Sequence, residues 1–146
     1  MIREYPSYPI LAVSAIIFNL NHELLLIQRS QPPAKKQWAL PGGAVQLGET
    51  PEYAVIREVQ EECAIHVLPK VLNRISSHVF RDSKGKIQYH YVVINYICRL
   101  MKGEVQAGSD ALDYQWVLPS AIHKLNLADG VYETVQEGLK NGGKFK

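Results

Sequence analysis

Cysteine is scarce: Cys63 and Cys98 are the only two in 146 residues, far apart and without metal-ligand spacing. That argues against a thiolate metal site. Both sit among apolar neighbours, so the expectation is two buried free thiols in a reducing compartment. An excess of one charge is also missing. The net charge is +2, and Lys and Arg are scattered, with Lys35-Lys36 the one local basic pair. Nothing here favours nucleic-acid binding by bulk electrostatics. The apolar stretch Ile10 to Leu20 is far too short to cross a bilayer. Pro6 and Pro9 precede it and no small-residue cleavage site follows, so it does not read as a secretory signal. Val13, Ile16, Ile17 and Phe18 suit a buried strand instead. No internal repeat or low-complexity segment is present. The expectation is a cytoplasmic protein with no membrane and no nucleic-acid partner.

What is present is an ordinary globular composition, 47% hydrophobic and 21% charged, enough for a core within one domain over residues 1–146. Two strands are expected over Ile10–Asn19 and Glu23–Arg29, joined by a turn at Asn19-Leu20-Asn21-His22. Pro32-Pro33 marks a loop, and Pro41-Gly42-Gly43 a turn inside a short apolar run. At Thr50 the period changes. Thr50 suits an N-cap, Pro51 the first helical position, and Ile56, Val59 and Cys63 make one apolar helical face that ends near Ala64. Val67 to Phe80 reads as one or two strands, Asp82 to Gly85 as a hairpin turn and Ile87 to Leu100 as a long strand. A loop over Val105–Asp113, a short strand over Tyr114–Leu118 and a helix over Val131–Leu139 complete the chain. The fold class is α+β, an α/β/α sandwich on a mixed β-sheet.

The central helix carries an acidic face. Glu58, Glu61 and Glu62 stand at i, i+3 and i+4 and converge on one side. Like charges so placed cost about 0.2–0.5 kcal/mol per pair on a bare helix. Two readings are open: a solvated face with Arg57 paired to Glu61, or a seat for a hard cation with oxygen ligands, Mg²⁺ or Mn²⁺.

The residues upstream weigh on that choice. Gly43, five residues, Glu49, seven residues, then Arg57-Glu58-Val59-Gln60-Glu61-Glu62-Cys63-Ala64-Ile65 resembles the Nudix box, G-x5-E-x7-R-E-U-x-E-E-x-G-U with U aliphatic. Six of its seven fixed residues are present, and Val59 and Ile65 fill the aliphatic positions. Chance matches of that extent arise on the order of 10⁻⁷ per starting point. The departure is Ala64, where the family has Gly. A left-handed exit would favour Gly by about 1 kcal/mol; with no rescue visible nearby, a helical exit at Ala64 is the expectation.

The resemblance implies a Nudix-type fold and a metal-dependent hydrolase of a phosphoanhydride bond. It makes Glu58, Glu61 and Glu62 metal ligands, with the Gly42 carbonyl as a further one, and Mg²⁺ or Mn²⁺ as the cofactor. Glu61 and Glu62 become catalytic residues. Gly42 and Gly43 let the backbone approach the substrate phosphates, and Arg29 at the end of the second strand is a candidate phosphate contact. Glu49 and Arg57 correspond to the family's structural ion pair. Asp110, ahead of Trp116, is the candidate general base, with Asp113 and Glu104 as alternatives. Trp38 reads as core rather than as a base platform. His78 and His90 lie in strands, with Tyr89 and Tyr91 on the face opposite to His90.

The substrate implied is a small-molecule nucleotide: a nucleoside diphosphate linked to another moiety, ADP-ribose being the first choice. The alternatives are an ordinary or oxidised nucleoside triphosphate, or a Nudix module that binds a nucleotide without cleaving it. A proline past the box that marks ADP-ribose enzymes in the family is absent, since Phe80 and Arg81 occupy that region. A homodimer is left open.

Overall fold

A computed structural model of the chain describes residues 3–106, 108 and 111–142. Strands β1 (Ile10–Ile17), β2 (Leu24–Arg29), β3 (Trp38–Ala39) and β4 (Gly42–Ala44) lead into helix α1 (Pro51–Cys63). Strands β5 (His66–Arg81), β6 (Ile87–Lys102) and β7 (Ala111–Val117) follow, then a 3₁₀ helix (Pro119–Lys124) and helix α2 (Val131–Asn141). One sheet has the order β4-β1-β6-β5 and a second the order β3-β2-β7. β1 runs parallel to β6 and every other named pair is antiparallel, so the larger sheet is mixed.

Side-chain alternation divides the core into two layers. Val13, Ala15 and Ile17 of β1 and Leu25 and Ile27 of β2 pack with Val55, Val59 and Cys63 of α1. Ile16, Leu24 and Leu26 face the other way, against Val131 and Val135 of α2 and Ile122 of the 3₁₀ helix. The sheets therefore lie between the two helices, the expected α/β/α sandwich. Trp38 is half-buried in the α2-side layer. Cys63 and Cys98 are buried and free, and burial pushes both thiols up to about 12.

Four local expectations are corrected. β1 ends at Ile17 rather than Asn19, because the Asn19 side chain accepts N–H groups from Asn21 and Glu23 at 3.0 Å and starts the turn. β7 starts at Ala111 rather than Tyr114, since Ala111 pairs with Arg29 across a bulge. The 3₁₀ helix at Pro119 was not anticipated. The exit from α1 is also not helical: Ala64 has φ 61°, ψ 27°, in the left-handed region. The reason is long-range. The Gly108 N–H donates to the Glu62 carbonyl at 2.8 Å and the Gln106 N–H to the Cys63 carbonyl at 2.9 Å. The loop before β7 thus satisfies carbonyls the helix end would leave orphaned, and the chain turns at once into β5.

Candidate active site

α1 begins as its sequence dictates, with Thr50 Oγ1 accepting the Tyr53 N–H at 3.1 Å and Pro51 in the first turn. That start fixes the phase of the acidic face. Arg57 is the hub beneath it. Its guanidinium bonds both Glu49 oxygens, donates to the Ala44 carbonyl at 3.1 Å, and reaches Glu58 at 2.9 Å and Glu61 at 3.1 Å. The loop from Ala44 to Glu49 is thereby tied to the helix. The Arg57 hydrogen bonds hold the Glu49 carboxyl below its ordinary range. Glu58 is pushed the other way: burial raises it more than Arg57 lowers it.

Gly42 and Gly43 approach this face as no other residue could. A Cβ on Gly42 would run into the Val13 carbonyl, and one on Gly43 into the Glu58 carboxyl. The Gly42 N–H donates to Glu62 Oε1 at 3.1 Å. Glu58 and Glu61 are turned onto Arg57 and Glu62 onto Gly42. Among the described residues, no three acidic, His or Cys side chains are gathered at metal-binding distance. The donor set nevertheless suits a hard divalent cation: it is all oxygen, and Gly43 is a cradle that a Cβ would fill.

Beside this face lies an open cleft, the concave kind of site that small-molecule ligands occupy. Gly42, Gly43, Glu62 and Arg29 line one part of it. The Arg29 Nε donates to the Pro33 carbonyl at 2.8 Å, and burial lowers its pKa from the usual arginine value. Ser76, His78, Phe80, Tyr91 and Asp129 line the cleft as well. His78 Nδ1 lies 2.9 Å from Asp129 Oδ2, and Nε2 lies 2.8 Å from Ser76 Oγ. Gly130 (φ 81°) packs directly on the imidazole and leaves no room for a Cβ. Phe80 stands edge-on to Tyr89, ring centroids 6.4 Å apart.

The cleft brings together Arg29, Gly42, Gly43 and Glu62, while Glu49, Arg57, Glu58 and Glu61 stand around it. Asp110 lies outside the described residues. Asp113 is exposed in β7, accepting the Tyr114 N–H at 2.8 Å, and Glu104 is exposed; neither lines the cleft. His90 hydrogen-bonds Ser77 Oγ at 3.0 Å and does not line the cleft, whereas His78 and Tyr91 do.

The NUDIX domain family model matches residues 9–137. The chain belongs to the Nudix hydrolase family. This Nudix hydrolase is 38% identical over 117 residues to a Methanocaldococcus jannaschii protein named "ADP-ribose pyrophosphatase", a match that covers 79% of this chain and 66% of that one. Its fold is similar to a MutT Nudix hydrolase from Burkholderia pseudomallei (TM-score 0.76, 24% identity, 90% of this chain and 98% of that one). It is also similar to the Nudix domain of Shewanella oneidensis NrtR, crystallised with ADP-ribose (TM-score 0.74, 22% identity, 93% and 90%). Among the described residues no helix is long and apolar enough to cross a membrane.

Sequence reasoning missed Arg3, Ser76 and Asp129 in the cleft wall. A serine, an aspartate and an arginine carry no local pattern that marks them. His78 and Tyr91 share a face as cross-strand partners, which the register between β5 and β6 decides.

Proposed function

We propose that this Nudix pyrophosphohydrolase cleaves the phosphoanhydride bond of ADP-ribose or a closely related nucleoside diphosphate sugar. The observation that carries this reading is one continuous cleft with the box glycines and Glu62 at one part and a fixed Ser76–His78–Asp129 wall at another. A pyrophosphate at the glycines leaves the rest of the substrate to reach that wall. The M. jannaschii relative named for this activity supports the choice of substrate.

Glu58, Glu61 and Glu62, with the Gly42 carbonyl, would hold Mg²⁺ or Mn²⁺. Such an ion acidifies a water and offsets charge that grows on the departing phosphate. The chain's own residues do the positioning. Gly42 and Gly43 let the backbone close on the phosphates, because no side chain stands between. Arg29 gives a partly buried guanidinium suited to phosphate oxygens. Arg57 holds Glu58 and Glu61 in place from beneath and fastens the loop through Glu49. Asp110 is the candidate acceptor for the proton of the attacking water. Asp129 accepts only, so the His78 proton sits on Nδ1 and the ring is fixed for contact with the part of the substrate away from the anhydride.

A panel of ADP-ribose, other sugar nucleotides, dinucleoside polyphosphates and ordinary and oxidised triphosphates, assayed with Mg²⁺ and Mn²⁺, tests the reading. ADP-ribose should give AMP and ribose 5-phosphate with the highest kcat/KM. Turnover confined to triphosphates would overturn the substrate; no anhydride cleavage on any compound would overturn the activity.

A further inference from the structure

We infer that Arg3 is a phosphate-binding residue of the substrate site, delivered there by a strap at the start of the chain. The inference rests on the proposed reading that a pyrophosphate occupies the cleft. Arg3 lines the same cleft as Arg29, Gly42 and Gly43, although it lies far from all of them in sequence.

The strap is anchored on the β5–β6 hairpin. The Tyr5 N–H donates to the Gln88 carbonyl at 2.8 Å, and the Tyr5 hydroxyl donates to Asp82 Oδ2 at 2.8 Å. Lys86 Nζ stands 4.9 Å from the centre of the Tyr5 ring, and Gln88 Nε2 donates to Glu4 Oε2 at 2.7 Å. Tyr5 itself takes φ 50°, a left-handed conformation that redirects the backbone at this point.

Among the described residues, the Arg3 guanidinium has no hydrogen-bond or ion-pair partner, and Arg29 has none beyond the Pro33 carbonyl. Burial is the main influence on Arg29; Tyr91 and Glu62 favour its protonated form, and the Arg3 charge, near enough to be felt, disfavours it. The two guanidiniums line one cleft, neither is in a salt bridge among the described residues, and an anion bound between them would be held by both. Guanidinium groups match phosphate oxygens in geometry as well as charge.

The test is calorimetric titration of the full chain with inorganic pyrophosphate and Mg²⁺, together with steady-state kinetics on ADP-ribose. In Arg3→Ala the pyrophosphate Kd and the KM should rise on the order of 10-fold, with kcat within about a factor of two and the melting temperature unchanged. Arg3→Lys should recover part of the loss, and wild-type binding should weaken with salt more steeply than that of Arg3→Ala. Tyr5→Ala frees the strap and should mimic Arg3→Ala, with no further loss in the double variant. Unchanged pyrophosphate affinity in Arg3→Ala, or no pyrophosphate binding by the wild type, overturns the inference. Wild-type pyrophosphate binding without ADP-ribose hydrolysis would instead count against the proposed substrate and leave the role of Arg3 standing.

Discussion

The two walls of the cleft are built by opposite means. The box wall is local: one helix with the strand and loop before it supplies Gly42, Gly43, Glu49, Arg57 and the three glutamates, and a single arginine bonds Glu49, Glu58 and Glu61. The far wall is assembled from segments distant in the chain: Ser76 and His78 from β5, and Asp129 and Gly130 from the lead-in to α2. Charge dominates the first wall, where a glutamate is half-buried against its preference. Hydrogen bonding through His78 and the close packing of Gly130 on its ring dominate the second. A wall that gathers charge at the bond to be broken should govern turnover. A wall that grips the rest of the substrate should govern affinity.

The comparison is broken most directly at the box. Glu61→Gln and Glu62→Gln should each lower kcat on the order of 10²-fold or more, as removal of one preorganised electrostatic group does. The metal-free fold should be no less stable. Repulsion is relieved, the Glu62 contact to the Gly42 N–H can be kept by the amide oxygen, and the Glu61 pair is largely exposed and worth little. A large loss of metal-free stability with normal turnover, by thermal melt and steady-state assay, would make these residues structural.

Asp110→Asn tests whether turnover needs a group beyond the box. It should lower kcat by about 10²-fold with little change in melting temperature. Wild-type turnover in that variant returns the role to a glutamate of the box. His78→Ala sharpens the contrast from the other side. It should raise the KM for ADP-ribose on the order of 10-fold while leaving pyrophosphate affinity unchanged; a fall in kcat at unchanged KM would erase the distinction between the walls.

The smallest effect is at the helix exit. Ala64 holds a left-handed conformation with a Cβ, so Ala64→Gly should stabilise the protein by about 1 kcal/mol and raise the melting temperature by about 3 °C. An unchanged or lower melting temperature would mean that the Gln106 and Gly108 contacts already compensate for the strain.

Ala64 also shows where sequence reasoning stops. The box, the N-cap at Thr50 and the apolar face of α1 were legible because every residue involved lies within one turn or one loop of the next. The α/β/α layering followed from strand and helix periods, and the structure has it. The exit at Ala64 was misread because its geometry is set by Gly108 and Gln106, from a loop distant in sequence. The far wall was only half visible for the same reason. Alternation places His78 and His90 on strands, but only the bulged register between β5 and β6 decides that His78 and Tyr91 share a face. Arg3 carried no signal at all; its place depends on a tyrosine docking onto a hairpin that forms much later in the chain.

The central claim is that the glutamate face acts through a divalent cation on a phosphoanhydride. ADP-ribose hydrolysis, followed by product chromatography in Mg²⁺, in excess chelator and after Mg²⁺ is restored, tests it, with circular dichroism on the same samples. The chelated protein should remain folded and be inactive, and restored Mg²⁺ should return AMP and ribose 5-phosphate at the original rate. Full hydrolysis in excess chelator would contradict the account.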